Sequence, residues 1–381
     1  MGVVGFMKKI LFMTATRAEF GKMKPLMKAI DQSRKFECRI FVTGMHVLSK
    51  HGLTYNEILK EGFKNVFTFI NQTEGSDSFT DLVLANTIQG FGHYIRQFPP
   101  DLIIVHGDRP EALAGAIVGA LNNIVVVHIE GGEISGTVDE LIRHSISKLS
   151  QVHCVANQKA YKRLVQLGED PSCIYVTGSP EVDTMLSRRL PSLNTVKKHY
   201  GFSFKNYGIF CYHPVTTEIH RSQDNIKTVI NALRRTNRNF VVIEPNNDKG
   251  SDIIYNALDV LRQDPKFKVF PSLRFEYYIT LLKNADTIVG NSSSGVREAS
   301  VFGVPCINIG TRQNNRINGD SIVNVPENEE DIIEAFKHCH RQHPKTSHFG
   351  VGNSTKAFMK MLNDPSFWQK AVQKQFCDIN F

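Results

Sequence analysis

The sequence predicts an α/β protein with two doubly wound, Rossmann-like parallel sheets in tandem, and three observations carry that expectation. First, short apolar, β-branched runs (KKILFMT, CRIFVTG, DLIIVHGD, NIVVVHIEGG, VHCVAN, CIYVTGS) alternate with stretches of helical period such as KMKPLMKAI, RPEALAGAIVGALNN, VDELIRHSISKL and QKAYKRLVQLG. Strands that alternate with helices form βαβ units and hence a parallel sheet. Second, these runs are continuously apolar, as strands covered on both faces are. Third, the alternation lapses over SPEVDTMLSRRLPSLNTVKKHYGFSFKN and then resumes with YGIFCYHPV, NFVVIEPNND, FKVFPSL, DTIVGNSSSG and PCINIGT. A boundary is expected inside 179–206, with domains over 1–180 and 181–363. In this architecture ligands bind outside the carboxyl ends of the strands, so two such domains predict a site in a cleft between two sets of strand ends.

At the N-terminus, Lys8 and Lys9 ahead of ILFM imitate the start of a signal peptide, but the apolar run stops at Thr14, Arg17 and Glu19. That is too short for an h-region. Residues 1–6 read as an extension before the first strand, and MGVVGF lacks the hydroxyl residue of a myristoylation signal. No apolar stretch approaches the roughly 20 residues that span a bilayer. The expectation is a cytoplasmic protein with no membrane partner.

The 381-residue chain is 41% hydrophobic and 22% charged, the balance of a globular protein. Its seven cysteines form no CxxC pair, which favours free core thiols over disulfides or zinc. His338-Cys339-His340 has neighbours that diverge on a helix and reads as an ordinary helix end. The formal charge of +8 suits an anionic partner. The densest basic run, Arg234-Arg235 to Arg238, is brief and follows an amphipathic helix pattern, so a nucleic acid is not expected; a small phosphate-bearing substrate is.

Polar residues gather just after the strands. Thr16 to Lys22 follow the first, Gly107-Asp108-Arg109 another, and Glu130 to Asp139 the next. In the second half His213 to Thr217 follow IFCY, Glu244 to Asp248 follow FVVI, Asn291-Ser292-Ser293-Ser294-Gly295 precede a helix, and Gly310-Thr311-Arg312 follow CINI. Each has a plain structural reading: Asp108 as a helix N-cap, the serines as caps, His213 as a hydrogen-bonded wall residue. Charge at the same end of strand after strand favours a site. The SSSG turn could cradle a phosphate at a helix N-terminus, and Arg17, Arg109 and Arg312 could add charge-assisted bonds to a diphosphate. Neither GxxxxGK[ST] nor GxGxxG after the first strand is present, which argues against a dinucleotide cofactor. Acids from one domain and an anion clamp from the other suit proton transfer coupled to departure of a diphosphate.

TRAEFGK, TGMH, HGDRPEAL, HIEGGEISGTVDELIRHSISKL, YHPVTTE, PNND, FPSLRFEYYITLLKNAD, GNSSSGVREA and GTRQNNR together resemble the UDP-N-acetylglucosamine 2-epimerases, specifically the hydrolysing branch that makes N-acetylmannosamine for sialic acid synthesis. The resemblance covers nearly the whole chain. It implies the GT-B type of fold, with a C-terminal helix over about 364–381 returning to the first domain. It also implies elimination of UDP to a glycal, hydration to free N-acetylmannosamine, no metal or organic cofactor, and a homodimer or homotetramer. By position it implies catalytic roles for Asp108, Glu130, Asp139 and His213. Substrate and UDP contacts are implied for Arg17, Glu19, Lys22, Arg109, Arg143, Asn246, Ser292, Ser293, Glu298 and Arg312. Two positions depart from the pattern: Glu19 stands where the branch usually has Asp, and Gly21 where a serine is common. Glu133 and Glu140 read as solvated or capping residues. The nearest rival is a hydrolysing enzyme for a UDP- or GDP-linked 2,4-diacetamido-6-deoxy sugar of the legionaminic acid route. A non-hydrolysing epimerase, a GT-B glycosyltransferase and a non-enzymatic nucleotide-sugar sensor follow at a distance.

Overall fold

The structure, a computed structural model, describes residues 7–73, 79–314, 316, 319–339 and 343–378. The extension 1–6 and His340 lie outside them. The chain forms two compact units: Met1–Glu133 with Asp139–Ser187 and Gly350–Phe381, and Ile134–Val138 with Arg188–Phe349.

The first unit holds β1 (Lys8–Thr14), β2 (Phe36–Val42), β3 (Asn65–Thr68), β4 (Leu102–His106), β5 (Val125–Ile129), β6 (Val152–Val155) and β7 (Ile174–Val176). They form one parallel sheet in the order β3-β2-β1-β4-β5-β6-β7. Side chains alternate across a strand, and β1 shows why its whole run is apolar. Ile10 and Phe12 enter a core with Met23, Leu26 and Ile30 of the helix Arg17–Asp31. Leu11 and Met13 enter another with Phe91, Ile95, Ala112 and Ala116. Both faces are covered by helices.

The second unit repeats the plan with β8 (Gly208–Cys211), β9 (Phe240–Ile243), β10 (Phe267–Phe270), β11 (Thr287–Gly290), β12 (Cys306–Ile309) and β13 (Ile322–Val325), in the parallel order β10-β9-β8-β11-β12-β13. Phe210, Val242 and Val289 face one core, and Ile209, Val241 and Ile288 the other. In each unit the strand order reverses beside the first strand, between β1 and β4 and between β8 and β11. These are the switch points where doubly wound sheets hold ligands.

The division of the chain differs from the expected one in three respects. The helix Pro180–Met185 stays with the first unit, which runs to Ser187. Residues 134–138 group with the second. The return begins at Gly350, and its helix is Ser354–Asn363, not 364–381. That helix is capped from a distance, since the Asp183 carboxylate accepts from the N–H groups of Ser354 (2.9 Å) and Thr355 (2.7 Å). It stops because Asp364 accepts from Ser366 N–H and Pro365, which cannot continue a helix, opens a single 3-10 turn. No helix follows over 370–378.

The basic run closes the helix Ser222–Arg235, with Arg235 paired to Glu329 and Glu330 and Arg238 over the Phe336 ring. His338 ends the helix Glu329–His338. All seven cysteines are free. Among the described residues no helix is long and apolar enough to cross a membrane.

Candidate active site

In the first unit eight expected site residues lie at or just beyond the carboxyl ends of β1, β4 and β5. Glu130 directly follows β5 in the left-handed conformation (φ 68°), a strained choice for a residue with a side chain. The turn continues through Gly132, also at positive φ, where a Cβ would strike the Ala160 carbonyl. Glu130 is buried by the turn and given cationic neighbours. His106 Nε2, at the end of β4, is 3.3 Å from its carboxylate and Lys22 Nζ is 3.7 Å away. Burial presses the His106 pKa down most strongly of any single cause, but the charge and hydrogen bonding of Glu130, helped by Glu19, together turn the net direction up. Lys22 also lies 3.9 Å from the buried Glu181, which follows β7. His106, Glu130 and Glu181 have metal-ligand spacing. The Lys22 ammonium lies within 4 Å of both carboxylates and offsets part of their charge.

Asp108 is not the N-cap of the helix Pro110–Leu121; Arg109 occupies that position without a side-chain cap, and Pro110 begins the helix. Asp108 instead pairs with Arg143, 1% exposed on the helix Val138–Leu149. Arg143 also donates to the Glu133 carbonyl at 3.2 Å. Burial opposes its charge, but Asp108, Glu133 and Asp139 together hold its pKa above the ordinary value. Glu133 is therefore buried beside an arginine rather than solvated. Glu140 is partly exposed, 3.4 Å from His144. Asp139, four residues before Arg143, lies in the first helical turn, where a carboxylate is favoured.

Glu19 is buried and accepts from Ala15 N–H at 2.6 Å. Burial raises its pKa to about 7, with His106 pulling the other way. Arg109 Nε lies 3.4 Å from the buried Glu111. Arg17 pairs with Glu57 through two nitrogens.

In the second unit the switch point is tight: a Cβ on Gly290 would collide with the Cys211 carbonyl, and the backbone there has φ 127°. Next to it the Asn291 amide ties the two strand ends, accepting from His213 N–H (2.6 Å) and donating to His213 O (2.8 Å). Both His213 ring nitrogens have protein partners. Asn246 N–H donates to Nδ1 at 3.1 Å, so Nε2 carries the proton and faces Cys211 Sγ at 3.3 Å. Burial pushes the Cys211 thiol up to about 11, so it stays a thiol. Arg312 donates to the Asn291 carbonyl at 3.3 Å and lies 3.9 Å from Asp248, which in turn accepts from the Asn246 amide.

The serine turn begins two short helical pieces, Ser293–Val296 and Glu298–Phe302, instead of one longer helix. Ser292 caps the first by accepting from Ser294 N–H. Any anion contact here comes from individual N–H and hydroxyl groups rather than from a long helix dipole. Glu298 is buried, near Tyr278, whose hydroxyl meets Ser294.

Sequence reading named Asp248 and Asn291 only within polar stretches after strands, and did not single out His106, Glu111 or Glu181. His106 and Asn291 each border a strand end, which was the available signal. Glu181 sits in the polar stretch read as linker.

Comparison with known proteins agrees with this plan. The sequence profile of the family described as UDP-N-acetylglucosamine 2-epimerase matches residues 28–363. A Neisseria meningitidis serogroup B protein named UDP-N-acetylglucosamine 2-epimerase is 45% identical over 379 residues, covering 98% of this chain and 100% of its own. A Legionella pneumophila protein named UDP-N,N'-diacetylbacillosamine 2-epimerase (hydrolyzing) is 32% identical over 360 residues, 93% of this chain and 95% of its own. The crystal structure of a Methanocaldococcus jannaschii UDP-GlcNAc 2-epimerase in complex with UDP-GlcNAc and UDP has a TM-score of 0.78 at 20% identity, covering 93% of this chain and 99% of that one. At that identity the likeness concerns the fold alone, two Rossmann-like parallel-sheet domains. With a profile match and a near full-length relative on one side and the doubled sheet on the other, the chain belongs to the UDP-N-acetylglucosamine 2-epimerase family.

Proposed function

We propose that this chain is a hydrolysing UDP-N-acetylglucosamine 2-epimerase, converting UDP-N-acetylglucosamine and water to N-acetylmannosamine and UDP, the first step of sialic acid synthesis. The supporting observation is the set of carboxylates at neighbouring strand ends, each with its own cationic surroundings: Asp108 against buried Arg143, and Glu130 against His106 and Lys22. Carboxylates in different environments are what separate acid and base roles require.

In the first step the C2–H pair becomes the C1=C2 bond, the proton passes to a carboxylate, and the C1–O pair leaves with UDP. Carboxylates near C1 stabilise oxocarbenium-like charge there. In the second step water adds its hydroxyl to C1, and C2 takes a proton on the opposite face. We assign sugar contacts to Glu19, Lys22, Asp108, Glu130, Asp139 and Arg143. Nucleotide and diphosphate contacts go to Arg17, Arg109, Asn246, Ser292, Ser293, Glu298 and Arg312, and His213 completes the catalytic set. Charge growing on the departing diphosphate is borne by the arginines and the serine turn. The free and mostly buried thiols suit a reducing cytoplasm. A homodimer or homotetramer is read by light scattering.

HIEGGEISGTVDE, with its Gly131-Gly132 turn, favours the hydrolytic branch, and the Legionella relative carries that word in its name. The same relative supports a second reading, a UDP- or GDP-linked 2,4-diacetamido-6-deoxy sugar as substrate. Product analysis by NMR with each nucleotide sugar decides. Free N-acetylmannosamine and UDP are expected from UDP-N-acetylglucosamine. UDP-N-acetylmannosamine as sole product would overturn the hydrolytic assignment, and turnover of the diacetamido sugar alone would transfer it to the second reading.

A further inference from the structure

The last described stretch, residues 370–378, has no regular secondary structure, yet it is held at one chemically specific point. Lys374 Nζ donates to three main-chain carbonyls, Ser147 (2.9 Å), Lys148 (3.1 Å) and Ser150 (2.8 Å). These are carbonyls at or just past the end of the helix Val138–Leu149, where the helix runs out of N–H donors and a cation is favoured, although Ser147 O also accepts from Ser150 N–H at 3.3 Å. The same ammonium pairs with Glu169, whose side chain is 1% exposed. Glu169 is also met by Lys148 (3.0 Å) and His153 Nε2 (3.0 Å). Beside this point the Gln151 amide donates to the Val372 carbonyl at 3.0 Å, while its oxygen accepts from Val126 N–H of β5 at 2.8 Å.

The clamped helix carries Asp139 in its first turn and Arg143 at its middle. Between the two ends Ser147 Oγ bonds His128 Nδ1 at 3.0 Å, and His128 Nε2 donates to the Gly107 carbonyl at 2.8 Å, next to Asp108. The helix is therefore fixed at its middle by Arg143–Asp108, at its third turn through His128, and at its end by the tail. Without Lys374, the three carbonyls lose their shared cation and the buried Glu169 carboxylate is left with Lys148 and His153, so the link from the tail to the helix end is broken.

We propose that Lys374 is a positioning residue, the pin of a C-terminal clamp that fixes the helix Val138–Leu149 and so sets where Asp139 and Arg143 stand. Its effect on turnover rests on the function proposed above; its effect on the helix does not.

The test is Lys374→Met, which keeps the stem and removes the charge, beside Lys374→Arg, read by hydrogen exchange over residues 140–150 and by steady-state kinetics. For Lys374→Met the clamp predicts about tenfold faster exchange in that helix, with β1 and β8 unchanged. It predicts kcat lower by about tenfold or more with KM nearly constant, since a small displacement of reacting groups costs rate before affinity. Lys374→Arg should restore most of both. Unchanged exchange overturns the clamp, and faster exchange with unchanged kcat overturns the positioning role. If Lys374→Met does not fold, Lys374→Gln, which keeps donors without charge, is judged by the same two readouts. If the unmodified protein turns over no nucleotide sugar, the proposed function falls, and exchange alone then sustains or overturns the clamp.

Discussion

Glu130 shows what the site asks of single residues. A side chain in the left-handed region costs about 1–2 kcal/mol, and the chain accepts this directly after β5, where the carboxylate reaches His106 and Lys22. Asp108→Asn, Glu130→Gln and Asp139→Asn should each lower kcat by about 100-fold or more, the scale of one acid–base group, with circular dichroism unchanged. Loss of the fold together with activity would make that residue structural. Glu19 gives a stability prediction. Its pKa is raised to about 7 from 4.5, so its contribution is full below pH 4.5 and is lost as pH rises towards 7. Glu19→Gln lacks that loss and should gain about 3 kcal/mol relative to the unmodified protein between pH 4.5 and 8, read by urea denaturation. Asp108, Glu130 and Asp139 were legible as candidates because strand ends announce themselves in sequence. Their partners were not: the Asp108–Arg143 pair depends on how one helix packs, and Glu181 reaches Lys22 only once β7 takes its place in the sheet.

At the scale of elements, runs with continuous apolar character were legible, and KKILFMT coincides with β1. The edge strands β3 and β13 were not. Asn65–Thr68 is largely exposed, so burial leaves little mark on its sequence. The helix Thr80–Gln97 was also passed over, because Thr, Asn, Gln and Gly interrupt its apolar face. The helix of the serine turn breaks at Arg297, which is buried against Phe349, a tertiary contact invisible in a local pattern. Two glycines bear directly on the sites. Gly132→Ala and Gly290→Ala each place a methyl on a carbonyl at positive φ, and each should cost about 3 kcal/mol or more in urea denaturation. A change below about 1 kcal/mol would mean that the turns relax freely.

For the whole molecule, two sheets of the same plan arise from one chain that leaves the first unit at Ser187 and returns at Gly350. The doubling was legible from the interrupted alternation; the return was misplaced because Asp183 caps the helix Ser354–Asn363 across a long sequence separation. The first unit carries paired carboxylates at its strand ends, and the second an arginine, a histidine and a serine turn at its own; the proposed function couples removal of the C2 proton to departure of a diphosphate. That coupling is the central claim, and isotope uptake tests it most directly. In deuterated water with UDP-N-acetylglucosamine, the protein should release UDP and N-acetylmannosamine carrying one deuterium at C2, seen by NMR as loss of the C2 proton signal. N-acetylmannosamine released with its C2 proton retained would contradict it.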